Sequence, residues 1–397
     1  MIRNSNNVLE LMIEELDIPD SAYDKAVKRY EDIGVWFSRE ESSLVLNDPH
    51  VFSQGSFRLG TVIRPLNNED DYDLDLACKL NNGITKSTHT QKELKEIIGN
   101  ELENYRIARQ IKEKLKPKHR CWRLEYQDSL NFHEDIVPCI PAIEKNKTYL
   151  FERMIKAGVL RNDAELISNT AVSITDDRSE FYNAVTPDWE LSNPEGYAVW
   201  FDNRLKSFKT DVLMEKAKVD EIPLYKKKTP LQSVIQLLKR HRDVMFVNNQ
   251  DSKPISIIIT TLAARAYKGE NDVKTALENI IKKMGSYVHS SIPRVPNPVN
   301  PEEDFADRWS MVKYQHLFLE KNFMVWLQQA QIDFENIVNS NDMNSLLFIT
   351  ENKFFLSLDS KKLIEKLTFC VNQSSKQFDD SQIIIPQETH SPWLCIK

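Results

Sequence analysis

Gln54-Gly55-Ser56-Phe57-Arg58-Leu59-Gly60-Thr61, followed by Tyr72-Asp73-Leu74-Asp75-Leu76, is the part of this chain best equipped for chemistry. A small-residue turn leads into a strand-like run that carries two acids separated by one residue. Residues two apart in a strand project from the same face, so Asp73 and Asp75 point together. Paired carboxylates of this kind suit Mg2+, which takes a few protein oxygens and completes its shell with substrate phosphates. Asp71 shares their face. Positions 73 and 75 are preferred because an apolar residue follows each, as a buried strand requires, which leaves Asp71 solvated at the strand mouth. Glycine lets backbone approach a ligand closely, and exposed amides with the Ser56 hydroxyl can hold phosphate oxygens. Together these residues suit a nucleoside triphosphate.

A third acid extends the pattern. Phe132-His133-Glu134-Asp135-Ile136-Val137-Pro138 is a short apolar run interrupted by Asp135, again strand-like. In-line phosphoryl transfer with two metal ions gains from such a carboxylate, which helps hold the ion that activates the attacking hydroxyl. His133, on the same face, reads as a packing or supporting residue.

The order of these motifs resembles the DNA polymerase β-like nucleotidyltransferases. Within that superfamily it is most similar to the bacterial cGAS/DncV-like enzymes (CD-NTases), relatives of cyclic GMP-AMP synthase and oligoadenylate synthase that make cyclic oligonucleotides in anti-phage defence. The likeness continues through Ser192-Asn193-Pro194-Glu195-Gly196-Tyr197, Leu238-Lys239-Arg240-His241-Arg242-Asp243 and Asn297-Pro298-Val299-Asn300-Pro301, and on to Ala306-Asp307-Arg308-Trp309. It implies an α+β fold: a polymerase β-like lobe of mixed sheet and helices, a C-terminal helical lobe, and an active site in the cleft between them. The expected division is a helical spine over 1–50, a catalytic lobe over 51–228, a helical lobe over 229–375 and a tail over 376–397.

The resemblance also implies roles. Asp73 and Asp75 would bind two Mg2+ ions, with Mn2+ as a substitute, and Asp135 would complete the ion that activates a ribose hydroxyl. Gly55, Ser56, Lys239 and Ser256 would hold a donor triphosphate, although on sequence alone Lys239 reads as a solvent-facing lysine. The expected activity is condensation of nucleoside triphosphates, ATP first and GTP second, into a cyclic di- or trinucleotide. Its implied partners are a product-sensing effector protein and a regulatory protein. The rival reading is a template-independent polymerase or a transferase acting on RNA or protein. The Asn297–Pro301 loop is expected to wall the cleft, with Asp304 or Asp307 capping a following helix, and Tyr197 to belong to the core.

Composition fits a globular enzyme. The 397 residues are 41% hydrophobic, enough for two packed cores. No apolar run reaches the roughly 18 residues a membrane span needs, and the first residues lack the apolar core of a signal peptide. Five cysteines without paired metal spacing suggest a reduced, cytoplasmic setting. A net charge of −7 does not favour polymeric nucleic acid, and the basic clusters at 116–120 and 226–228 read as solvated surface.

Helical spacing predicts helices over 21–44, 91–115, 231–245, 255–267, 273–287, 302–327 and 359–371, and another running from Ser192 through Leu205. Strands are expected at 122–127, 131–137 and 171–175. The rest of the middle section, and the proline-punctuated stretch around 293–301, read as irregular or extended.

Overall fold

The structure is a computed structural model that describes residues 5–67, 71–127, 132–206, 228–340, 342–359 and 361. Among them, seven strands make one mixed sheet: β1 (Pro49–Ser53), β2 (Tyr72–Leu80), β3 (Lys116–Pro117), β4 (Trp122–Tyr126), β5 (Phe132–Pro141), β6 (Val172–Ile174) and β7 (Glu190–Ser192). Period-two patterning explains the two central strands. Leu74 and Leu76 of β2 are fully buried while Asp73 and Asp75, which alternate with them, face outward, and Phe132 and Ile136 of β5 bracket Asp135 in the same way.

The strand order β1-β2-β5-β4-β3 places the acids. β2 and β5 run parallel, with Asp73 opposite His133 and Asp75 opposite Asp135. On the other side of β5, antiparallel β4 sets Arg123 opposite Asp135. Beyond Pro138 the partner changes, and β6 pairs with the end of β5 and then with β7.

Helices supply the remaining faces: α1 (Ser5–Leu16), α2 (Asp20–Ser38), α3 (Gly55–Arg58), α4 (Gln91–Ala108), α5 (Glu144–Lys156), α6 (Arg161–Asn169), α7 (Pro194–Lys206), α8 (Pro230–Met245), α9 (Ser256–Ala266), α10 (Val273–Lys283), α11 (Leu319–Asn339) and α12 (Met343–Phe354). The crossover between parallel β2 and β5 runs through α4, whose start is fixed by a reciprocal Thr90–Glu93 capping box. Its Leu94, Ile98, Leu102 and Tyr105 pack with the sheet and with Tyr30, Ile33 and Phe37 of α2. The second core gathers α1, α8, α9, α10, α11 and α12. Residues 5–38 thus touch both cores, as two helices, α1 and α2, in place of the single one expected over 21–44.

Three expectations change. Residues 144–169 fold as α5 and α6. The proline segment closes a small hairpin, β8 (Pro296–Asn297) with β9 (Asn300–Asp304). The expected helix over 302–327 breaks into 3-10 turns at Asp307–Trp309 and Val312–Leu317 before α11. Asp304 caps no helix: its carboxylate accepts from the amides of Arg294 (2.7 Å), Val295 (2.9 Å) and Ala306 (2.9 Å). Most of the helix expected over 359–371, the 376–397 tail and Lys226 and Lys227 lie outside the described residues. No helix among the described residues is long and apolar enough to cross a membrane.

Candidate active site

The glycine-serine turn starts α3 directly after β1. Gln54 fastens it to β2: its amide donates to the Asp75 carbonyl at 2.8 Å and its Nε2 to the Leu76 carbonyl at 3.2 Å. Gly55 has φ +63°, and a Cβ built there would stand 2.1 Å from Asp75 Oδ2. Its need for glycine is therefore double, a left-handed backbone and a carboxylate where a side chain would sit.

Beyond the turn, a row of polar side chains on one side of α8 grips the segment from Leu59 to Arg64. Gln232 Nε2 donates to the Leu59 carbonyl (3.0 Å), Gln236 Nε2 to Val62 (2.7 Å), Lys239 Nζ to Thr61 (3.0 Å) and Arg240 Nη2 to Arg64 (2.7 Å). The spacing of 232, 236, 239 and 240 is that of one helix face. These bonds satisfy backbone acceptors that burial would otherwise leave unpaired, and they join the two lobes beside the turn.

The acids meet above the sheet. Asp73 Oδ1 lies 2.9 Å from His133 Nε2, and Asp71 Oδ2 lies 3.5 Å from His133 Nδ1. Arg123 donates from Nε and Nη2 to the two oxygens of Asp135, both at 2.7 Å. Asp75 is half-buried on the cleft floor. Desolvation, then the charges of Asp73 and Asp135, push its carboxyl well above the usual range against the pull of His133 and Lys239. Burial works to lower the His133 pKa, but the bond to and charge of Asp73 outweigh it and the ring is held above its ordinary value. Asp135 in turn raises the Arg123 guanidinium.

Concentrated negative charge of this kind is expensive without a cation. One ligand atom each from Asp73, His133 and Asp135 falls within 4.8 Å of the others, a spacing and donor set that fit a divalent ion. The Asp75 carboxylate is packed against Gly55 within the same pocket.

The helical lobe supplies the opposite wall. Lys239 is 5% exposed and also donates to Thr61 Oγ1 at 3.1 Å. Burial, with help from Arg242, lowers its pKa to about 7, against the restoring charges of Asp243 and Asp75. Arg242 Nη1 donates to Ser256 Oγ and to the Pro254 carbonyl, both at 2.9 Å. Ser256 opens α9, where free amides and the helix dipole favour an anion. A cleft of about 480 Å3 is lined by Gly55, Ser56, Asp73, Asp75, Lys239 and Ser256, among others. That volume lies within the usual range of ligand pockets.

The structure brings together the seven residues expected to hold metal or triphosphate. Six line the cleft, and Asp135 joins them through the β2–β5 register. The solvent-facing reading of Lys239 is corrected, since it is buried with two bonds to Thr61. Arg58 is engaged elsewhere, with Asp202 at 2.8 Å, whereas Arg64 lines the cleft. Tyr197 is a core residue whose hydroxyl meets Thr261 at 2.8 Å. The Asn297–Pro301 loop is not among the cleft's lining residues. Sequence reasoning missed Arg123 and Arg242. Alternation on two short strands around residues 122–127 and 131–137 was the signal available for Arg123.

Residues 49–138 match the family model described as the cyclic GMP-AMP synthase DncV-like nucleotidyltransferase domain. Over that stretch the chain is similar to the DncV-like nucleotidyltransferases. A c-di-GMP synthase of Roseivirga ehrenbergii is 27% identical over 355 residues, covering 88% of this chain and 83% of that protein. The solved CD-NTase CdnG of Bradyrhizobium diazoefficiens, in complex with GTP, superposes with a TM-score of 0.62 at 18% identity, over 95% of this chain and 98% of that one. A mutant of the Vibrio cholerae di-nucleotide cyclase DncV, in complex with ATP, GTP and 5MTHFGLU2, gives a TM-score of 0.52 at 14% identity, over 90% and 89% of the two chains. These two likenesses show the fold. The chain is a nucleotidyltransferase with the α+β, polymerase β-like architecture its sequence implies.

Proposed function

We propose that this nucleotidyltransferase joins two nucleoside triphosphates into a cyclic dinucleotide that signals to an effector protein in anti-phage defence. The observation that carries the reading is the single cleft in which the glycine-serine turn and the acids of the sheet face Lys239 and Ser256 of the helical lobe. The names of the relatives, a c-di-GMP synthase and a CdnG holding GTP, put GTP ahead of the ATP favoured from sequence, and a dinucleotide ahead of a trinucleotide.

Asp73, Asp75 and Asp135 would hold two divalent ions, Mg2+ or Mn2+. Ions bound there neutralise triphosphate charge and make a ribose hydroxyl a better nucleophile. The chain's own residues do the positioning on which such transfers depend. Ser56 and the amides of its turn hold phosphate oxygens against β2, and Lys239 and Ser256 hold the donor triphosphate from the other wall. The hydroxyl oxygen of one nucleotide attacks the α-phosphorus of the other. The bond from that phosphorus to the bridging oxygen breaks, pyrophosphate leaves, and the hydroxyl proton passes to solvent. The linear product then turns over, so that its free hydroxyl meets its own triphosphate and the same exchange closes the ring.

The rival transferase would favour a continuous basic track beside the cleft. Two cations of the 116–120 cluster are instead matched by acids: Lys116 pairs with Glu125, and Arg120 with Asp176 (2.9 Å) and Glu190 (2.6 Å). The test is incubation with α-labelled GTP and ATP and a divalent ion, then phosphatase, then mass spectrometry. A small phosphatase-resistant product, lost with Asp73→Ala/Asp75→Ala, supports the reading. A linear ladder, or label only on added RNA or protein, overturns it.

A further inference from the structure

His133 stands among the metal-binding acids and has no part in the scheme above. The parallel register of β2 and β5 puts it directly opposite Asp73, one step from the Asp75–Asp135 pair. Its ring is largely buried and oriented by Asp73 (2.9 Å) and Asp71 (3.5 Å). A ligand atom from the ring lies within 4.8 Å of one from Asp73 and one from Asp135.

From this geometry we infer that His133 is itself a metal ligand, completing an Asp73–His133–Asp135 set that selects Mn2+ over Mg2+. The inference rests on the proposal that these acids bind catalytic metal. Its chemical basis is the donor set. Mg2+ takes hard oxygen ligands in near-ideal octahedral geometry and keeps much of its water. Carboxylates suit Mn2+ and Mg2+ alike, so the imidazole nitrogen, a donor that first-row transition ions accept more readily than hard Mg2+ does, is what tips the mixed set toward Mn2+. His133 exchanges its hydrogen bond to Asp73 for a bond to the ion, while Asp73 turns one oxygen to the same centre. Placement on two adjacent central strands gives the ligands the rigidity that a defined coordination geometry requires.

Imidazole ligation has a direct signature. Wild-type protein is loaded with Mn2+ alone, and the bound ion is read by pulsed electron paramagnetic resonance for coupling to a nitrogen nucleus. Mn2+ and Mg2+ affinities are measured by competition on wild type and on His133→Asn. The expected result is nitrogen coupling in wild type, its loss in His133→Asn, and a fall of at least about tenfold in Mn2+ preference over Mg2+. His133→Gln serves if the asparagine variant does not fold, and the wild-type spectrum stands without either. Bound Mn2+ without nitrogen coupling, or coupling unchanged in the variant, overturns the role of His133. If cyclic product still forms, the reading of the acids stands. No Mn2+ bound at all overturns both.

Discussion

Replacing Lys239 with methionine keeps the length of the side chain and removes its charge. In the free protein the lysine pKa is about 7, brought there by burial and by Arg242. Lys239 is thus about half protonated at pH 7 and about one-tenth protonated at pH 8. A bound triphosphate restores the cation, so binding should take up about half a proton at pH 7 and about nine-tenths at pH 8. Affinity should fall as pH rises above 7, steepening toward about tenfold per unit. Stability has the opposite slope. Unfolded lysine keeps its proton until about pH 10.4 while the folded one releases it near 7. Between those values the unfolded chain binds more protons and stability rises with pH. Lys239→Met should remove both dependences. It should also weaken triphosphate binding about tenfold to a hundredfold, the equivalent of one charge-assisted hydrogen bond. Calorimetry with a nonhydrolysable triphosphate, in two buffers of different ionisation heat at pH 7 and 8, measures proton uptake directly. Equal uptake by wild type and Lys239→Met at both pH values would refute the reasoning.

Asp75→Asn should abolish product formation by about a thousandfold or more while raising or preserving the thermal midpoint at pH 7. The folded Asp75 carboxyl is raised by burial and by Asp73 and Asp135, so its ionisation destabilises the fold as pH climbs above the ordinary carboxylate range, and asparagine removes that loss. Gly55→Ala should cost about 1–2 kcal/mol for the left-handed backbone. It should also displace the Asp75 carboxylate, and a melt paired with a turnover assay would show activity falling much further than stability. Glu134 is fully buried beside Asp135, bonded to Tyr126 (3.0 Å), and raised to about 7, chiefly by burial. Folded Glu134 holds its proton to higher pH than the unfolded chain does, so stability should drop between about pH 4.3 and 7. Glu134→Gln should flatten that drop in melts run across the range; an unchanged profile would count against it.

The three acids of the candidate site were legible because their pattern is local. Period-two spacing put Asp73 and Asp75 on one face, and an apolar run marked Asp135. Their meeting across β2 and β5 is long-range, and only the resemblance supplied it. Lys239 was misread for a physical reason. A polar residue opposite an apolar stripe normally faces water, but α8 is enclosed on all sides, and its polar face is spent on the carbonyls of residues 59–64. Arg240, His241 and Arg242 are buried for the same reason: each finds an acceptor, His241 in Asp333 at 3.0 Å. Residues 302–327 looked helical by spacing, but Asp304 engages the amides of 294, 295 and 306, and Phe318 turns to φ 49°. α1 lies within the helical spine expected over 1–50 but was not read as a helix of its own; it docks on α8 and α10, partners distant in sequence.

The most direct test of the central claim is the ratio of pyrophosphate released to nucleotide consumed when purified protein is given GTP alone, ATP alone, or both, with Mg2+ or Mn2+. Ring closure releases one pyrophosphate for every nucleotide, because the linear intermediate gives up its last triphosphate. The account predicts that ratio, with no triphosphate end left on the product. One pyrophosphate for every two nucleotides, with a triphosphate still on the product, would contradict it.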